Sequence, residues 1–105
     1  MPIPRKPEPA EPEVEAYTWT FAGNPEVVLC FEHSIGTSRV EEALRTSMNR
    51  NRQSNERLLT IVSRGNHVVL VDKHRSHAPN RLRTRGEQVA AYLGYSAKFV
   101  PPPRR

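Results

Sequence analysis

Between Lys73 and Arg85 the chain reads KHRSHAPNRLRTR, which places Lys73, Arg75, Arg81, Arg83 and Arg85 beside His74 and His77 with no acid among them. A second polar stretch, NRNRQSNER from Asn49 to Arg57, supplies Arg50, Arg52 and Arg57. Arginine outnumbers lysine thirteen to three. A planar guanidinium binds a phosphate through two parallel N–H groups, which an ammonium cannot do. These eight residues read as two arginine-rich loops, with Pro79 and Asn80 as turn residues, and the chemistry suited to them is therefore the holding of a phosphodiester backbone. Nothing in the pattern points to base edges, so contact with backbone or shape is the expected mode, with RNA ahead of DNA as the partner.

The histidines add a second possible chemistry. His74 or His77 as general acid or base, with Arg75, Arg81 or Arg83 against a pentavalent phosphate, would make a small ribonuclease. A phosphate-binding loop carries the same residues without any catalysis, so this reading ranks behind simple binding. Cys30-x-x-His33 and His74-x-x-His77 have the outward form of a structural zinc site. Cys30, however, lies in an apolar run, and residues three apart on a strand point to opposite faces. No glycine-rich phosphate loop, nucleophile elbow or HExxH is present. Neither a cofactor nor a metal is expected.

The distribution of charge supports a polyanionic partner. Residues 1–16 and 17–38 each carry a net −2, residues 39–64 carry +3 and residues 65–105 carry +6. An acidic front and a basic rear steer a nucleic acid to one half of the molecule. A single cysteine excludes an internal disulfide framework, and neither a signal-peptide pattern nor an apolar run of membrane-spanning length occurs. The expectation is a cytoplasmic or nuclear protein that is not secreted and meets no membrane.

The elements that must position these residues follow from periodicity. Residues 1–13 are proline-rich and charged, residues 99–105 end in Pro101-Pro102-Pro103-Arg104-Arg105, and residues 14–98 are left for one domain. Such tails would equally suit an adaptor or structural subunit that docks within a homo-oligomer or a larger assembly. Tyr17, Trp19 and Phe21 alternate with threonines, Ala22-Gly23-Asn24-Pro25 turns the chain, and an apolar run resumes at Val27, which describes a β-hairpin. The three aromatics then share a face, either as core or as a stacking platform for bases.

Ser38 and Glu41 have capping-box spacing ahead of a stripe of Val40, Leu44 and Met48, which predicts a helix ending near Asn49. Thr84 and Glu87 repeat that spacing ahead of Val89, Ala90, Tyr92 and Leu93, with Gly94 closing a second helix. Residues 86–96 resemble the first helix and turn of a helix-turn-helix unit, but Pro101 would stop its recognition helix within a turn. Residues 58–63 fit a strand or a helix, with the strand preferred because of an internal echo. Gly23-Asn24-Pro25-Glu26-Val27-Val28-Leu29 and Gly65-Asn66-His67-Val68-Val69-Leu70 match but for one inserted residue. The fold class is thus α+β: an antiparallel sheet of three or four strands, arranged as a hairpin–helix pseudo-repeat, with two helices on one face.

Overall fold

The computed structural model describes residues 12–103. Seven elements follow one another: β1 (Glu13–Phe21), β2 (Asn24–Cys30), α1 (Thr37–Asn51), β3 (Thr60–Arg64), β4 (His67–Val71), α2 (Pro79–Tyr92) and β5 (Ser96–Phe99). The strands form one sheet in the order β3-β4-β2-β1-β5. Every neighbouring pair is antiparallel except β1 and β5, which run parallel. The fold is α+β, but its sheet is mixed and has five strands. Residues 96–99 carry no strong period; they become a strand because β1 offers them an open edge. Phe99 and Glu13, expected in the tails, lie in β5 and β1, while most of the proline-rich front (1–11) and residues 104–105 fall outside the described residues.

Two hairpins meet at the centre of the sheet. β2 pairs with β4 about Val28↔Val69, with Val27 opposite Leu70 and Leu29 opposite Val68. Because Val-Val-Leu recurs in both strands, exchanging them maps this pairing onto itself. Both hairpins close on two residues, at Phe21↔Asn24 and at Arg64↔His67, but the turns differ in conformation, since only Gly65 of the second has positive φ. Ala22 and Gly23 both have positive φ, 52° and 83°, the conformation that a two-residue hairpin turn needs to follow the strand twist.

Strand alternation divides the side chains between two faces. Val14, Ala16, Val27, Leu29, Val68 and Leu70 point one way and are covered by Val40, Ala43, Leu44 and Met48 of α1 and by Leu82, Val89, Ala90 and Leu93 of α2. Both helices therefore pack on the same face. α2 lies so close to β2 that a Cβ on Gly86 would stand 2.7 Å from Val27 Cγ2. The opposite face gathers Tyr17, Val28, Val69 and Val71, with Trp19, Cys30, Val62 and Val100 against them. Burial raises the pKa of both the Tyr17 hydroxyl and the Cys30 thiol.

Neither predicted capping box forms. α1 starts one residue earlier than its proposed cap, and the Gly36 carbonyl accepts from Arg39 and Val40 N–H while Ser38 is already helical. α2 starts five residues before Thr84, with Pro79 in its first turn, where a missing N–H is harmless. Thr84 instead turns its hydroxyl back to the Asn80 carbonyl. Arg81, Arg83 and Arg85 thus stand on a helix rather than in a loop.

Candidate nucleic-acid interface

Starting α2 at Pro79 decides the fate of its arginines. Leu82, Gly86, Val89 and Leu93 form the buried stripe, and Arg85 stands within it, three residues after Leu82 and four before Val89. Its side chain is 1% exposed. A charge placed there needs a complete set of partners, and it has one. Nε donates to His77 Nε2 at 3.4 Å. Nη1 donates to the Ser47 carbonyl, the Ser47 hydroxyl and Gln88 Oε1 at 2.9, 2.7 and 3.0 Å. Nη2 donates to the Asn51 carbonyl at 3.1 Å and to Glu56 Oε1 at 2.8 Å.

Arg81, one turn earlier, grips the same carboxylate with both prongs, Nε to Oε2 at 2.8 Å and Nη2 to Oε1 at 3.0 Å. It also reaches the Asn51 carbonyl at 2.6 Å. The last carbonyls of a helix lack intrahelical donors and carry its negative pole, so the two guanidiniums close the end of α1 from outside. The Arg81 hydrogen bonds hold Glu56 at a pKa of about 2, well below its ordinary value, with help from the Gln53 N–H. These three charged groups, with His77 and Asp72, make a knot of largely buried charge between the helices and two loops.

The second acid of the region is used inside as well. Asp72 Oδ1 accepts the Ser76 N–H and Oδ2 the His77 N–H, at 3.0 and 2.9 Å, which folds residues 72–77 into a tight loop. Arg75, within that loop, has a positive φ of 50° and donates Nη2 to the Gly23 carbonyl at 2.6 Å. Arg57 N–H donates to the Ser76 hydroxyl at 2.8 Å. The loop after α1, the loop after β4 and the tip of the first hairpin are thereby fastened together at one end of the molecule.

Of the eight predicted contact residues, this end brings together Arg52, Arg57, Lys73 and Arg75, all exposed. The other four are placed elsewhere. Arg81 and Arg85 are bound to Glu56. Arg83 lies over the Phe99 ring at 4.5 Å, and Arg50 extends along the helix pair to Tyr92, 6.0 Å from its centroid. Glu56 and Asp72, the acids nearest these loops in sequence, are each 1% exposed, so they do not offset the charge at the surface.

His74 and His77 do not form a working pair. His74 is exposed, while the His77 side chain has no exposed surface and sits 3.9 Å from both Glu56 Oε2 and Asp72 Oδ2. Burial lowers its pKa, outweighing the two carboxylates. Among the described residues no three His, Cys, Asp or Glu side chains are grouped to hold a metal ion, so Cys30, His33, His74 and His77 do not converge.

On the aromatic strand, Tyr17 is buried and Trp19 half-buried, its indole N–H donating to Glu26 Oε1 at 2.7 Å. Arg64 reaches across the sheet to the same oxygen at 3.1 Å and lies 4.7 Å from the Phe21 centroid. Glu26 is thus a third buried acid, one with no signal in the sequence, and Tyr17 and Trp19 serve as packing. No helix among the described residues is long and apolar enough to cross a membrane. No family model, no curated protein and no solved structure matches the chain.

Proposed function

We propose that this protein binds nucleic acid, RNA before DNA, through phosphate contacts from Arg52, Arg57, Lys73 and Arg75, and that it does so without catalysis. The observation that carries the reading is the fastening of two cationic loops at one end of the molecule with their neighbouring acids turned inward. Loops held in this way present charge to a backbone with little ordering left to do on binding. A duplex-DNA reader would offer a basic helix face to the major groove. α2 does not, since Arg81 and Arg85 face inward, and the exposed surface of α1 mixes Arg39 and Arg45 with Glu41 and Glu42.

The test is binding of labelled single-stranded RNA, duplex RNA and duplex DNA across a salt series. Log K should fall linearly with log salt, with about 0.7–0.9 of slope per phosphate neutralised. Changing Arg52, Arg57, Lys73 and Arg75 together to Ser should remove roughly 3–3.5 units of that slope. Arg39→Ser, on the first turn of α1, should leave the slope within about one contact of the parent. Equal retention of the fourfold variant and the parent would defeat the assignment.

A further inference from the structure

We propose that the cationic surface is gated by protons: a proton added to buried His77 loosens the knot, frees both loops and releases the nucleic acid. The binding reading above supplies the ligand for this gate; the gate itself rests on separate geometry.

Thr18, Trp19 and Thr20 of β1 line one cavity with His77, and on its other sides it faces charged or polar groups from two loops and α2. Glu56 Oε2 comes from the loop after α1, and Asp72 Oδ2 and the Ser76 hydroxyl from its own loop. Arg85 comes from α2, while Arg81 reaches His77 through Glu56, and Ser47 and Gln88 through Arg85. The Arg85 Nε–H points at His77 Nε2, so the neutral ring accepts there and carries its proton on Nδ1, 3.3 Å from the Ser76 hydroxyl. With the ring neutral, two guanidiniums balance two carboxylates. A second ring proton would set N–H against N–H at 3.4 Å and leave a buried site with one uncompensated positive charge.

Both loops hang from this site. Glu56 accepts the Gln53 N–H, Asp72 accepts the Ser76 and His77 N–H groups, and the Ser76 hydroxyl accepts the Arg57 N–H. Phosphodiesters keep their charge across the relevant range, so the nucleic acid contributes no titration of its own.

The experiment uses the full chain, a labelled single-stranded RNA of about 12 nucleotides and constant ionic strength from about pH 7.5 to about pH 5.5. Amide exchange over residues 52–58 and 72–78, corrected for intrinsic rates, is followed in parallel. Acidification should weaken RNA binding at least about fivefold and deprotect both loops, and His77→Gln should flatten both responses. Tighter binding at low pH with unchanged loop protection would overturn the proposal, as would equal deprotection of His77→Gln. Loop deprotection confined to the parent, with no RNA bound at any pH, would uphold the gate and defeat the binding reading instead. Should His77→Gln fail to fold, titration of the His77 ring protons by NMR in the parent chain decides. A midpoint at or above the ordinary 6.5 overturns the gate, and a lower midpoint shared with the loop amides supports it.

Discussion

Arg75 and Arg85 belong to one cationic stretch, ten residues apart, and the fold puts them to opposite uses. Arg75 stands in an exposed loop with one prong on a backbone carbonyl. Arg85 is enclosed, and each of its guanidinium nitrogens has a partner. The difference arises from helix geometry and from a carboxylate far away in the chain. Once α2 begins at Pro79, position 85 must face the core, and Glu56 meets it there. A run of like charge in a sequence is therefore not yet a surface. Its inward members can hold in place the loops that carry its outward members.

The sharpest way to break this contrast is Arg85→Met. Removing one partner of a buried charge network leaves Glu56 and the end of α1 short of donors, and should cost about 3–5 kcal/mol in urea or thermal unfolding. A loss under about 1 kcal/mol would mean that the knot contributes little. Acidification attacks the same network from the carboxylate side. The folded pKa of Glu56, about 2, lies below its ordinary 4.5. Its stabilisation is therefore complete above pH 4.5 and lost as pH falls toward 2. The amount is on the order of 3 kcal/mol. His77 acts in the same direction from below its ordinary 6.5, because its folded pKa is also depressed. Urea midpoints at neutral, mildly acidic and strongly acidic pH check both, and Glu56→Gln should flatten the lowest interval.

Arg81→Met should cost less, about 1–3 kcal/mol, because Glu56 keeps Arg85 and the Gln53 N–H. At the small end, Lys73→Ser should change stability by no more than about 0.5 kcal/mol while lowering the salt slope of RNA binding by about 0.7. If Lys73→Ser unfolded the chain as readily as Arg85→Met, the two classes of cation would be one.

Much of the scaffold is legible in the sequence. Alternation at Tyr17, Trp19 and Phe21 gives the first hairpin, the spacing of Val40, Leu44 and Met48 gives α1, and the echo of Val-Val-Leu points to two hairpins in one sheet. β5 is not legible, because what makes Ser96–Phe99 a strand is the unpaired edge of β1, 83 residues earlier in the chain (Glu13↔Ser96). The inward arginines were hidden for a similar reason. Their partner Glu56 lies 25 and 29 residues away, in a stretch that reads as plain polar loop. One signal was available. Leu82, Arg85 and Val89 share a helical stripe once Pro79 is taken as a helix start. Reading Pro79-Asn80 as a turn concealed it. Tyr92 erred the other way, counted in the apolar stripe yet 41% exposed beneath Arg50.

The parallel pairing of β5 with β1 joins Ala16 to Phe99, nearly the whole domain apart. During synthesis at about 5–20 residues per second, β1 and β2 emerge early, and β1 keeps an unsatisfied sheet edge until the last strand leaves the ribosome. For several seconds that edge is open to any other extended chain, including a second nascent copy of this one. The final four-residue strand is small in area, yet its arrival ends the interval in which this protein is most prone to mispair.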